Sequence, residues 1–229
     1  MERNLTIDNL RGIAFLLMVF QHIFYFYDVS TNYSTNYRNI EIVDNAGTIS
    51  RNLFILLAGY SVYMTYKREK EQEKEKKTNN FLEKRVKRSI QIMEHALLIT
   101  IVTYLLYPDK FIQFGILHFL SLGILIISFV APDKIATVVA LIISLYVTYP
   151  VTETFADIIT GSRATSMMMD WFPLNKWLPI LLSGLVIGQN VDVQIPGFEF
   201  NNIITDIGKN TLNLYTGHLI FLLVLFKFI

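Results

Sequence analysis

His22 lies inside an apolar run, residues 10–27, long enough to enter a lipid bilayer. A charged side chain at the centre of such a helix costs roughly 2.5 kcal/mol or more. A neutral imidazole costs less, yet it still requires hydrogen-bond partners in a medium that supplies none. Gln21, beside it, has the same requirement. The chain has four histidines, His22, His95, His118 and His218, and all fall in apolar stretches. An ionisable residue inside a membrane marks a functional site by default. Imidazole there points to proton transfer or nucleophilic attack.

Other chemistries lack their residues. With no cysteine there is no thiol nucleophile, thiolate metal site or disulfide. No G-x-S-x-G elbow and no glycine-rich phosphate loop occurs. A retinal protein would need a lysine deep in its last span, and here Lys209 and Lys227 flank that run. No two histidines stand at i,i+4, and His22, His118 and His218 have no carboxylate beside them, so no metal is expected. The net charge of +1, with the basic residues gathered in one segment, gives no reason to expect nucleic acid.

The elements that position these side chains follow from hydropathy. The 229 residues are 52% hydrophobic with a mean hydropathy of +0.41, and Phe (17) and Tyr (12) are abundant, as interfacial belts require. Seven apolar runs stand out, at about residues 10–27, 48–66, 89–107, 112–131, 134–150, 174–189 and 211–228. The expected fold is therefore all-α: a polytopic membrane helix bundle of about seven transmembrane helices, residues 1–229 forming one domain. Pro108-Asp109 and Pro132-Asp133 mark tight connections. Residues 67–88 carry ten of the twenty Lys and Arg, so the positive-inside rule places them, and the amino terminus, in the cytoplasm and the carboxy terminus outside. The charged stretch 67–77 has no apolar residue to bury, which makes it a solvated extension of the second helix, near anionic lipid. The first run lacks a small-residue cleavage pattern and is expected to be an uncleaved span. Ser183-Gly184 and Gly188 in the sixth run, and Gly59 in the second, suit close helix packing.

This topology ranks the polar groups by depth. His22 lies roughly 18 Å from the inner edge and His118 roughly 10 Å from the outer one, so both reach the outer half of the bilayer. Asp170 stands at the outer mouth before the sixth span, and Arg51 at the outer end of the second. His218 is expected deeper toward the cytoplasm, and His95 close to the basic segment.

Several segments are similar to a known family. They are Asp8-x-x-Arg11-Gly12-Ile13-Ala14 with Met18 and His22; Arg51 to Gly59; Phe114-Gly115-Ile116-Leu117-His118; Met169-Asp170-Trp171-Phe172-Pro173-Leu174; and Ile207 to His218. In this order they resemble the heparan-α-glucosaminide N-acetyltransferase catalytic-domain family over nearly the whole chain. One departure is Leu219-Ile220, where such sequences often have Gln-Pro. The resemblance implies a transmembrane acyltransferase that takes acetyl or another acyl group from cytoplasmic acyl-CoA. The acceptor would be an amine or hydroxyl of a sugar or glycan on the outer side. It implies His22 as the catalytic histidine, acting as general base or, alternatively, as an acyl carrier. In that scheme His118, Asp170 and Arg51 orient the acceptor, while Arg11, Lys209, Asn210 and His218 meet the donor. The partners are then membrane lipid, acyl-CoA, an amino sugar or glycan and, as one assembly open to the chain, a second copy in a homodimer. The competing reading is a transporter or flippase whose histidines relay protons. No internal repeat is visible, which weighs against transport.

Overall fold

A computed structural model describes residues 4–31, 36–76, 80–148, 169–193 and 202–228. The regular elements among these residues are all helices, apart from one isolated backbone pairing between Phe114 and Trp171. In chain order the helices are α1 (Leu5–Ser30), a 3₁₀ turn (Tyr37–Asn39), α2 (Glu41–Lys76), α3 (Phe81–Leu106), α4 (Ile116–Ser128), α5 (Lys134–Thr148), α6 (Leu174–Asn190), α7 (Asn202–Lys209) and α8 (Thr211–Lys227). Among the described residues, each of the seven apolar runs overlaps a helix. Two helices among the described residues, α1 and α3, are long and apolar enough to cross a membrane, whereas α4, α5 and α8 are apolar but shorter. The chain divides into two compact units, residues 2–54 with 193–229, and residues 55–192.

In the first unit, Asn4 starts α1 by accepting the Ile7 N–H on its side chain at 3.3 Å, the standard use of Asn at this position. Ile7, Ala14, Phe15, Met18 and Phe26 are buried. Leu16, Phe20, Ile23 and Tyr27 form an exposed stripe at i, i+4, i+7 and i+11. A soluble helix would carry polar groups on that stripe, so lipid is its natural solvent. Beyond α1, Asn36 adopts a positive φ of 44°, which Asn tolerates, and its N–H donates to Asp28 Oδ1 at 2.8 Å. The start of α2 returns along α1, where Ser50 Oγ donates to the Ala14 carbonyl at 2.8 Å. Helix α7 lies antiparallel to the first turns of α1. Gly12 faces the Ile204 carbonyl and Gly208 faces that of Asp8, so closely that a Cβ at either would overlap the oxygen. Between them Thr205 Oγ1 donates to Asn9 Oδ1. Helix α8 follows after Asn210, whose N–H and side-chain amide both donate to the Asp206 carbonyl.

In the second unit, the expected small-residue packing is present. Gly184 sits against the backbone of Leu56, and Gly59 against the Leu181 carbonyl, with no room for a Cβ at either. Helices α3 and α4 are joined by reciprocal bonds, Ser89 Oγ to Ser121 O and Ser121 Oγ to Ser89 O, both at 2.8 Å. Asp133 starts α5 by accepting from Ile135 N at 2.7 Å and Ala136 N at 3.1 Å. Gln189 holds that same corner, its amide donating to Ala131 O at 3.1 Å and Thr137 Oγ1 at 2.9 Å. The charged end of α2 is helical through Lys76, as expected. It is not wholly solvated, since Glu69 is buried and accepts from Lys84 Nζ of α3 at 2.6 Å. Helix α4 is shorter than its apolar run because the preceding residues pair with the chain ahead of α6. Met169 N donates to Lys110 O at 3.1 Å and Phe172 N to Phe114 O at 2.9 Å.

Candidate active site

The first unit brings two histidines together. His22 of α1 and His218 of α8 approach with Nδ1 of the former 2.9 Å from Nε2 of the latter. Their rings are nearly coplanar, 8° apart, with centroids separated by 5.3 Å. His218 Nδ1 lies 3.0 Å from the Leu214 carbonyl one turn back on α8. Aromatic rings wall the pair: Phe15 and Tyr215 stand edge-on to His218 at 5.2 and 5.5 Å, and Phe26 and Tyr215 edge-on to His22 at 6.2 and 6.4 Å. The setting is apolar, yet both imidazoles have a polar partner, the requirement that a buried polar group imposes.

This contact sets the two imidazoles side by side. Counting from the start of each apolar run places His218 nearer the cytoplasm than His22. Helix α7 doubles back along Asp8–Gly12, so α8 starts beside the first turns of α1 and runs up alongside that helix to His22. The partnership spans 196 positions in the sequence, and nothing local to either histidine signals it.

Other expected site residues of this unit have protein partners. Arg11 Nη1 donates to Asp8 Oδ1 at 3.0 Å, and Asp8 is 2% exposed. Lys209 Nζ donates to Asp206 Oδ1 at 2.9 Å. Asn210 is exposed at the α7–α8 junction. Arg51 is half-buried, with Nη2 3.4 Å from Thr48 Oγ1. Gln21 packs its side chain against Gly47.

In the second unit His118 occupies the third position of α4. Its Nδ1 accepts the Gly115 N–H at 3.2 Å and its Nε2 lies 3.4 Å from Thr100 Oγ1, which itself donates to Ile112 O at 2.8 Å. The ring thus caps a helix start, stacked on Phe114 at 5.7 Å. Asp170 comes to the same corner: a Cβ placed on Gly115 would lie 3.0 Å from Asp170 Oδ2. A carboxylate is favoured there by the unpaired N–H groups of the α4 amino terminus. His118 and Asp170 are therefore neighbours, and Thr100 is a partner that no sequence pattern marks. Among the described residues no group of three or more His, Asp or Glu is arranged to hold a metal ion.

No curated protein and no solved structure matches the chain. A family model does match, that described as Heparan-alpha-glucosaminide N-acetyltransferase, catalytic, and it covers all but the first two and the last nine residues. With residues 3–220 matched, an all-helical fold with two membrane-length apolar helices, and a histidine pair between α1 and α8, the chain belongs to the heparan-α-glucosaminide N-acetyltransferase catalytic family.

Proposed function

We propose that the protein is a multi-pass membrane acetyltransferase of about seven spans, residues 1–229 acting as one catalytic domain. It takes acetyl from acetyl-CoA on the cytoplasmic side and passes it to an amine or hydroxyl of a sugar or glycan on the outer side. Family membership supports acetyl transfer. The observation that carries the site is the 2.9 Å contact between His22 and His218, two imidazoles held in an apolar surround. Ten of the twenty basic residues in 67–88 support the orientation, with the amino terminus inside.

The step is acyl transfer. The acceptor's nitrogen or oxygen attacks the thioester carbonyl while His22 takes its proton as general base. The carbon–sulfur bond then breaks, and the coenzyme A thiolate leaves and recovers that proton from His22. Neither a metal nor a redox partner enters this balance. A sugar acceptor fits the need for a base, since hydroxyl and ammonium groups are poor nucleophiles until deprotonated.

Purified protein incubated with labelled acetyl-CoA and a panel of amino sugars and glycans tests the proposal. Transfer to at least one acceptor, lost in His22→Ala while the variant keeps its melting temperature, is the expected result. Retained turnover in His22→Ala removes the assignment of His22. Absence of both transfer and thermal stabilisation by acetyl-CoA removes the enzyme reading and leaves transport in its place.

A further inference from the structure

We infer that His218 is a positioning residue that fixes the tautomer of His22, leaving His22 Nε2 as the atom that takes the acceptor's proton. The inference deepens the acetyltransferase reading and rests on it for its chemical meaning, but its geometry stands alone. It starts at the Leu214 carbonyl, 3.0 Å from His218 Nδ1. A carbonyl oxygen only accepts, so His218 Nδ1 carries the hydrogen. A neutral imidazole holds one N–H, and His218 Nε2 is then a bare acceptor. Its neighbour at 2.9 Å, His22 Nδ1, must donate. With its single N–H committed at Nδ1, His22 presents a lone pair at Nε2, to which no described residue hydrogen-bonds.

The ring geometry agrees. N–H bonds and lone pairs of imidazole lie in the ring plane. An 8° interplanar angle with 5.3 Å between centroids and 2.9 Å between nitrogens is the arrangement of two rings joined end to end in one plane. The opposite direction of donation would require both nitrogens of His218 to carry hydrogen. That makes an imidazolium, and it would stand between Phe15 and Tyr215 with no carboxylate paired to either ring among the described residues.

The consequence is a proton-handling chain in which Leu214 O accepts from His218, and His218 accepts from His22. When His22 Nε2 takes the acceptor's proton, the imidazolium keeps its Nδ1–H directed at the His218 lone pair, which stabilises it. When the thiolate recovers the proton from Nε2, the original tautomer returns. His218 thus orients and supports the base, as a carboxylate does in a Ser-His-Asp triad, while remaining neutral. Its partner in the structure is His22.

The test combines ¹⁵N NMR of histidine-labelled protein, His22 being assigned through its loss in His22→Ala, with steady-state kinetics. The expected spectrum shows His22 protonated at Nδ1 in the wild-type protein. His218→Ala is expected to lower kcat by about 10² to 10⁴, the range of a mispositioned general base, with the KM for acetyl-CoA changed less than about twofold. His218→Gln, which can again place an acceptor oxygen toward His22, is expected to recover about tenfold of that loss. A wild-type His22 protonated at Nε2 overturns the inference, as does a His218→Ala variant that raises KM with kcat unchanged. If the wild-type protein transfers no acetyl, the acetyltransferase reading fails, and the spectrum still decides the tautomer.

Discussion

Thr205 Oγ1 donates to Asn9 Oδ1 at 2.5 Å, fastening the eight-residue helix α7 to the second turn of α1. Both residues are buried. The bond, with the close approach of Gly208 to Asp8, decides where α8 begins, and hence which turn of α8 meets His22. Gly208→Ala places a methyl group on the Asp8 carbonyl. Overpacking of this kind costs about 1–3 kcal/mol. The expected outcome is a lower melting temperature and a kcat reduced at least tenfold, although Gly208 lies ten residues before His218. Unchanged kcat in a folded Gly208→Ala protein would show that the α7 clasp does not set the register of the pair.

Gly217 supplies the contrasting case. It adjoins His218 in sequence, yet a Cβ there meets nothing within 4 Å. Alanine inside a helix is favoured over glycine by up to about 1 kcal/mol. Gly217→Ala is therefore expected to leave turnover intact and to hold or raise the melting temperature, measured side by side with Gly208→Ala.

His118 has both ring nitrogens committed within its own corner of the fold, to Gly115 N and Thr100 Oγ1. Removal of a helix-start acceptor typically costs about 0.5–2 kcal/mol. His118→Ala is expected to lose stability in that range, and His118→Asn, which can offer an oxygen to the Gly115 N–H, to recover most of it. Thermal melts of the three proteins decide the matter. A raised acceptor KM in His118→Ala with no loss of stability would instead mark a contact with substrate.

Local physics makes much of this fold legible in the sequence. Each of the seven apolar runs overlaps a helix among the described residues, Asp133 starts α5 at the foreseen proline–aspartate corner, and Gly59 and Gly184 serve the close packing that small residues permit. His22 stood out because an imidazole in an apolar run must have a partner. What that partner is could not be read, since it depends on α7, a helix whose apolar content is too short to register in hydropathy. The same holds for α4, which begins at Ile116 and not at residue 112 because backbone groups near Phe114 bond to residues 169–172. Long-range backbone pairing of this kind leaves no trace in local composition. For Arg11 and Lys209, charge and position suit either donor phosphates or anchoring at the interface, and neither reveals the carboxylates of Asp8 and Asp206 with which they pair.

Arg11 offers the last test, because the structural and donor-binding readings diverge there. Asp8 is almost fully buried and its carboxylate accepts from Arg11 at 3.0 Å. Removing one member of a buried ion pair strands the other charge, at a cost of up to about 3–5 kcal/mol, whereas replacing both members together is often nearly neutral. Arg11→Gln is accordingly expected to melt well below the wild-type protein, and the double variant Asp8→Asn, Arg11→Gln to regain most of the loss. The KM for acetyl-CoA in the double variant then separates the roles. A value close to wild type assigns Arg11 to holding the first turns of α1. A rise of tenfold or more in a protein of restored stability assigns its guanidinium to the phosphates of the donor, with Asp8 serving to aim it.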